Sequence, residues 1–178
     1  MTAELPRGLL EYFWLIAAAF MLPAAALVHA RAGALVRRGN VTGAERRRFV
    51  LGLGGWSAGF CLAVQAVVWR TGESRIECLG ALPPNTPGSA ATTALTLLGW
   101  AALLVWVWRG RGAETLGRFA PALLGGPPTR SYRPAQVRRA VTGLVVITVA
   151  GSVVASVIAP APPDCRGRSS ASAALPSP

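Results

Sequence analysis

Four long runs without a charged residue constrain this chain more than any other feature. Counted from one Asp, Glu, Lys or Arg to the next, 19 residues follow Glu11, 21 follow Arg48, 31 follow Glu77 and 24 follow Arg139. A helix needs about 20 apolar residues to cross a hydrocarbon layer that is about 30 Å thick. The sequence therefore predicts four membrane spans, at about 10–30, 49–69, 90–108 and 140–159.

Each predicted span has to be helical, because lipid offers no partner to an unpaired backbone amide. The alternative is a soluble bundle of very apolar helices, but helices of soluble proteins carry a polar stripe and these four runs do not. The predicted fold class is therefore all-α, a bundle of four transmembrane helices. We expect residues 1–160 to form one integral membrane domain and residues 161–178 to form a flexible tail rich in Pro, Ser and Ala.

The basic residues indicate which way the bundle faces. All 18 are arginine, and 13 of them lie in the connections 31–48 and 109–139, each of which contains a single glutamate. Short basic loops stay in the cytoplasm. The predicted orientation is therefore N-out and C-out: the two arginine-rich connections are cytoplasmic, and both termini and the 70–89 loop are external.

A formal net charge of +11 would also suit a nucleic-acid-binding protein. Membrane topology already accounts for the arginines, which lie within a few residues of the predicted spans, so no nucleic-acid partner is expected. The predicted partners are the anionic cytoplasmic leaflet of the bilayer, and another membrane protein or a second copy of the chain. The exclusive use of arginine, together with abundant alanine, indicates a GC-rich genome and hence a bacterial plasma membrane.

The first span also has the pattern of a removable signal peptide. Val28, His29 and Ala30 form an acceptable cleavage pattern at the end of the apolar run. The preceding segment MTAELPR lacks the net positive charge of a signal peptide, however, and arginines begin immediately after the run, at Arg31. An uncleaved first helix is therefore predicted.

Small residues share one face of the second predicted span and one face of the fourth. On the second span they are Gly52, Gly55, Gly59, Ala63 and Ala66, and on the fourth they are Thr148, Gly151, Ser152, Ala155, Ser156 and Ala159. Such smooth faces let two helix backbones approach closely. We therefore predict that spans two and four pack together, with Gly52, Gly55, Gly59, Gly151 and Ala155 as helix-packing residues.

Polar groups within predicted spans are functional candidates by default, and here they are Glu11, His29 and Gln65. Glu11 and His29 are 18 residues apart, or about 27 Å along a helix, so they cannot form an acid–base pair. The simpler interpretation places both at membrane interfaces. Counting depth from the arginines puts Gln65 level with Thr93 and Ser156, so its amide is predicted to bond one of those hydroxyls.

Three cysteines are present, and two of them are predicted to lie on the same external side. These two, Cys78 and Cys165, are predicted to form a disulfide that ties the 70–89 loop to the end of the fourth span. Cys61 lies within the second span and is expected to be an inert, small apolar residue. No CxxC motif occurs, so a thiol-redox enzyme is not indicated.

Aromatic residues and one connection complete the prediction. Tryptophans are expected at the two membrane interfaces (Trp14 and Trp69 outside, Trp106 and Trp108 inside) and deeper in the bilayer (Trp56 and Trp100). The deeper pair would touch if spans two and three are neighbours. The 109–139 connection is expected to hold a short interfacial helix around 115–120, followed by a break at its Pro and Gly residues.

The sequence names no reaction. It contains one histidine, one aspartate and no HExxH, GxSxG or GxxxxGK[ST] arrangement, so no catalytic, cofactor-binding or metal-binding residue and no cofactor is predicted. The predicted function is that of a small multi-pass membrane protein, a non-catalytic accessory or scaffold component that acts through helix packing. The alternative is a small oligomeric transporter or channel, with Glu11, His29 and Gln65 lining a path.

Overall fold

The computed structural model describes residues 12–73, 76–80, 84–127, 129 and 132–158. Its five helices are α1 (Phe13–Arg37), α2 (Gly43–Thr71), α3 (Pro87–Arg109), α4 (Gly112–Leu124) and α5 (Pro134–Ile158), and a helical turn occupies Ile76–Leu79. No strand occurs within these described ranges. The predicted all-α fold is therefore confirmed.

Four of the helices, α1, α2, α3 and α5, are long and apolar enough to cross a membrane. All four extend beyond the predicted spans at the arginine-rich connections, because backbone hydrogen bonding continues until a stop signal is reached. For α1 that signal is Gly39, which adopts the left-handed φ of 72°. The amide of Gly39 donates to Val36 O at 2.9 Å and that of Asn40 to Leu35 O at 3.0 Å, which satisfies carbonyls at the helix end.

Side-chain caps fix the beginnings of α2 and α3. The Thr42 hydroxyl accepts a hydrogen bond from the Glu45 amide at 3.1 Å, and the Glu45 carboxylate accepts one from the Thr42 amide at 2.7 Å. Thr86 and Ser89 form the same reciprocal capping box at the start of α3. Each box satisfies two amides that would otherwise lack a partner at a helix N-terminus.

The connection between α3 and α5 contains the helix α4, which confirms the predicted helix near residues 115–120. The buried residues of α4 are mostly small, and one is aromatic: Gly112, Ala113, Gly117, Phe119, Pro121 and Ala122. The helix continues for one turn past Pro121 and ends at Gly125, whose φ is 71°. The break therefore comes at glycine, the residue that adopts this conformation without strain.

The helices pack in a definite order. The antiparallel pair α1 and α2 shares the most extensive interface, α2 and α3 are neighbours, and α5 packs against α3 and α4. We call the end of the bundle that carries the 38–42 and 110–133 connections the arginine end, and the opposite end, with the 72–86 connection, the far end. Helix α4 lies across the arginine end, where it contacts α1, α3 and α5.

The predicted packing of spans two and four against each other is wrong. Helix α2 packs on α1 and α3, whereas α5 packs on α3 and α4. The smooth glycine face shows that a helix can be approached closely, but it does not specify which helix approaches. The turn at 38–42 is short and makes α1 the neighbour of α2, and α1 meets a different face of α2, where Val64, Gln65 and Val68 are buried.

Buried apolar residues concentrate at the arginine end. The larger cluster joins α1, α2 and α4 through Ala32, Leu35, Val41, Phe49, Val50, Phe119 and Ala122, and the smaller joins α3, α4 and α5 through Val107, Ala113 and Val137. The middle of the bundle is far more exposed: only 6% of the apolar window of α5 is buried, and Ile147 is 72% exposed. Such surfaces are suited to contact with lipid chains.

Candidate functional site at the arginine end

An open cleft lies between α2, α3 and α4 at the arginine end, with a volume of about 540 Å³. Its walls are apolar and largely aromatic: Phe49, Leu53 and Trp56 come from α2, Ala102, Leu103 and Trp106 from α3, and Leu116 and Phe119 from α4. Glu45, Arg48, Thr115 and Arg118 lie at its polar rim, and Gly52 completes the lining. The volume falls within the range of about 300–1,000 Å³ that is usual for ligand pockets.

Glycines at the start of α4 allow the chain to close one side of the cleft. A Cβ on Gly112 would lie 2.7 Å from both Cδ2 and the carbonyl oxygen of Trp106. Farther along, a Cβ on Gly117 would lie 2.6 Å from the carbonyl oxygen of Tyr132. Glycine at these two positions therefore lets α4 fold back tightly beneath Trp106 and under the chain that leads into α5.

Two phenylalanine rings form the floor of the cleft. The rings of Phe49 and Phe119 stack with their centroids 4.1 Å apart and their planes 7° from parallel. Both side chains are buried, and Leu53 and Leu116 pack against the same cluster. This stack joins α4 to α2 and fixes the shape of the cleft at its base.

The rim of the cleft has an uneven charge distribution. The Arg118 guanidinium lies 3.4 Å from the Glu45 carboxylate, and Glu45 also caps α2, just before the apolar stretch begins. The hydrogen bond from the Thr42 amide, helped by the Thr42 hydroxyl and by Arg118, lowers the pKa of Glu45. Arg48 is exposed at the same rim and has no ion-pair partner among the described residues.

Two tryptophans help to join the helices near the cleft. The indole nitrogen of Trp108 donates to the Thr142 hydroxyl at 3.1 Å, and the Arg138 guanidinium lies 5.7 Å from the centre of the Trp108 ring. These contacts link α3 to α5. Spans two and three are neighbours, and a Cβ on Gly99 would lie 3.8 Å from the Trp56 ring. Trp56 therefore lies over Gly99, the residue before Trp100.

A second polar arrangement occurs at the far end. The Glu73 carboxylate accepts a hydrogen bond from the Thr86 hydroxyl at 2.7 Å and one from the Gly88 amide at 3.4 Å. It lies at the N-terminus of α3, where a negative charge stabilises the helix dipole. Ser89 is fully buried beside it. No local pattern marks Glu73 itself; the Thr-Pro-Gly-Ser stretch at 86–89 is the available signal of a helix start.

Gln65 has a different partner from the one predicted. Its side-chain oxygen accepts a hydrogen bond from the Leu15 amide at 3.1 Å, and the residue is fully buried. The partner of this oxygen is a backbone amide and not the predicted hydroxyl of Ser156 or Thr93, and the Ser156 hydroxyl donates to Val153 O at 2.8 Å within its own helix. The first amides of α1 lack partners within the helix, so Gln65 caps α1 from the neighbouring helix α2.

The small-residue faces are open among residues 12–73, 76–80, 84–127, 129 and 132–158. A Cβ on Gly52, Gly55, Gly59 or Gly151 would meet nothing within 4 Å, and Ala155 is exposed. Gly52 lies on the wall of the cleft, whereas Gly55, Gly59 and Gly151 do not line it. The faces predicted to join spans two and four therefore do not meet each other in the described structure.

The remaining predicted site residues are dispersed. His29 is partly buried on α1, 14 residues beyond Leu15, which places it about 21 Å from the level of Gln65. Glu11 lies outside the described residues, as do Cys165 and the predicted tail.

Cys61 is a buried free thiol in α2, and Cys78 is buried at the far end and has a partner. The Cys78–Cys165 bridge stays a prediction.

The chemistry of the cleft is that of a binding site for an amphiphilic molecule. Its walls offer apolar contact and its rim offers guanidinium groups. Among the described residues, no three His, Cys, Asp or Glu side chains come together. The chain matches no protein-family profile, no curated protein and no solved structure.

Proposed function

We propose that this chain is a multi-pass integral membrane protein that acts as a non-catalytic accessory or scaffold component through contacts between helices. The observation that carries the proposal is the open glycine face of α2. A Cβ on Gly55 or Gly59 would meet no atom of the described residues within 4 Å, so a face suited to close helix packing is open in the part of the chain that the structure describes. The open position at Gly151 on α5 supports a second such contact.

The proposal includes an orientation and a location. The arginine end faces the cytoplasm and the anionic lipid there, and the far end faces the outside of a bacterial plasma membrane. The support is the concentration of 13 of the 18 arginines in two connections, both of which meet at one end of the bundle. The membrane-capable length of α1, α2, α3 and α5 supports the same arrangement.

A disulfide between Cys78 and Cys165 forms part of the proposed external face. Cys78 is 5% exposed and lies at the end opposite the arginines. Gel mobility with and without reductant, after free thiols are blocked, tests the bridge. We expect a shift in the unmodified chain and none in Cys165→Ser. Two thiols that react with the blocking reagent at Cys78 and Cys165 would contradict the bridge.

The helix-packing proposal is tested by adding bulk to the open faces. We expect Gly55→Leu and Gly151→Leu to abolish association with a partner helix, measured by crosslinking in the membrane and by quantitative mass spectrometry after gentle extraction. Ala150→Leu is the matched control, since Ala150 is exposed on α5 beside Gly151 but lies outside the small-residue face. Equal association in all three variants and the unmodified chain would contradict the proposal.

A second experiment separates this function from transport. A scaffold retains its association when Glu11 and His29 are replaced by alanine. Flux of a substrate into liposomes that contain only this protein, abolished by Glu11→Ala or His29→Ala, would favour the transporter or channel and overturn the proposal.

A further inference from the structure

We propose that the cleft between α2, α3 and α4 binds one anionic phospholipid from the leaflet at the arginine end, with its phosphate on Arg48 and an acyl chain along the aromatic walls. Such a lipid would be a ligand of the bundle itself, whether or not a partner helix packs on the open glycine faces.

Charge at the rim favours an anionic headgroup. Arg48 and Arg118 are both exposed there, and the Glu45 carboxylate is engaged by Arg118 and by the Thr42 amide. Arg48 therefore remains as the guanidinium without a partner among the described side chains. Arginine binds phosphate through paired hydrogen bonds, and basic pockets between membrane helices recognise anionic lipid headgroups.

The depth of the cleft favours a lipid over a free anion. Arg48 immediately precedes the apolar stretch 49–69, which puts its guanidinium at the level of the headgroups. Trp56 lies 8 residues farther along α2, or about 12 Å deeper. One leaflet of the hydrocarbon core is about 15 Å thick, so the cleft follows most of the length of an acyl chain.

The walls also favour an acyl chain over a second protein helix. The lining presents bulky rings and branched chains, with Trp56 at 54% and Trp106 at 41% exposure. Closely packed contacts between membrane helices are enriched in small residues, and the apolar walls of the cleft contain only Gly52 and Ala102 of that kind. A flexible acyl chain fits between such rings, and the Phe49–Phe119 stack closes the cleft beneath them.

The test uses the full chain in phosphatidylcholine vesicles with increasing fractions of brominated phosphatidylglycerol, whose bromine quenches tryptophan fluorescence. We expect quenching to saturate at a lower fraction of this lipid than of brominated phosphatidylcholine. Arg48→Gln should raise the half-saturating fraction about tenfold, the change expected for loss of a charge-assisted hydrogen bond. Arg47→Gln is the matched control, since Arg47 is exposed one residue away but does not line the cleft.

A second pair of variants keeps every charge and alters only the apolar wall. Ala102 lines the cleft, and Ala101 is exposed beside it outside the cleft. We expect Ala102→Phe to weaken selective quenching and Ala101→Phe to leave it unchanged.

Equal effects of Arg48→Gln and Arg47→Gln would indicate general surface attraction, and competition by inorganic phosphate would indicate a free anion. Dissociation of an oligomer by Ala102→Phe without a change in quenching would indicate that a second copy of the chain occupies the cleft. Each of these three results would overturn the lipid site.

Discussion

At the arginine end apolar packing joins the helices, whereas towards the far end hydrogen bonds to single side chains add to the apolar contacts of residues such as Val64 and Val68. The Phe49–Phe119 stack and its surrounding cluster join three helices at the arginine end. At the far end, Glu73 joins the 72–86 connection to α3, and Gln65 joins α2 to α1.

This difference follows from what each end has to satisfy. The hydrophobic effect drives helix association only where water competes, as it does around an interfacial helix such as α4. Within lipid that driving force is absent, so close packing and hydrogen bonds have to hold the spans. Substitutions at the arginine end should therefore act through lost apolar burial, and those at the far end through unsatisfied helix termini.

The largest expected effect is at the arginine end, from Phe119→Ala. The side chain is 2% exposed and stacks on Phe49, so its removal should leave a cavity and lower the free energy of unfolding by about 3–5 kcal/mol. Unfolding in mixed micelles with increasing denaturing detergent measures the change. Phe20→Ala is the control, because Phe20 is 66% exposed and should change stability by less than about 0.5 kcal/mol. Equal losses of stability in the two variants would contradict the claim that apolar burial stabilises the arginine end.

The next largest effect should come from Glu73→Ala at the far end. The change removes the acceptor for the Thr86 hydroxyl and the Gly88 amide, and we expect a loss of about 2 kcal/mol. Hydrogen exchange should increase in the first turn of α3 and remain unchanged in α4. Glu114→Ala is a matched control: Glu114 is exposed in the first turn of α4, where a carboxylate contributes only about 0.5 kcal/mol. A uniform increase in exchange over the whole chain would contradict a local role for Glu73.

A smaller effect is expected from Gln65→Leu. The substitution leaves the Leu15 amide without its acceptor, and a hydrogen bond between membrane helices contributes about 0.6 kcal/mol on average. Exchange of the Leu15 amide should increase. Ser156→Ala should have no effect on Gln65, since the Ser156 hydroxyl bonds within α5. Coupling between these two substitutions in a double-mutant cycle would instead indicate that spans two and four touch, a contact that the structure lacks.

The smallest effect is expected from Arg118→Gln. Its ion pair with Glu45 is exposed, so its loss should lower stability only slightly, and only at low ionic strength. Unfolding measured in low and high salt checks this expectation. A large loss that persists in high salt would mean that charge pairing, and not apolar packing, dominates the arginine end.

The spans could be predicted from the sequence because run length alone determines whether a helix can cross a membrane. The extents of α1 and α2 were not predicted, because run length does not report the Gly39 turn or the Thr42–Glu45 capping box, although Thr-x-x-Glu is itself a sequence signal of a helix start. Helix α4 was found from the Pro and Gly residues that follow it. Its contact partners lie on the four other helices, and no local pattern specifies them.

Contacts between distant segments were the part of the fold that the sequence patterns predicted least well. The small-residue face of α2 and the polar Gln65 were both recognised, but each was assigned to the wrong neighbour. Depth counting gives the level of a side chain along the membrane normal and leaves its direction around the helix undetermined. The cleft was missed for the same reason, because α2, α3 and α4 each contribute only part of its wall.

Thiol labelling of single cysteines tests the proposed orientation of the four-span bundle most directly. In a chain whose native cysteines are replaced by serine, we introduce Asn40→Cys or Gly126→Cys at the arginine end and Asn85→Cys at the far end. An impermeant maleimide should label only Asn85→Cys in intact cells, and all three variants after the membrane is permeabilised. Labelling of the cysteine at position 40 or 126 in intact cells, with no labelling at 85, would contradict the orientation on which the account rests.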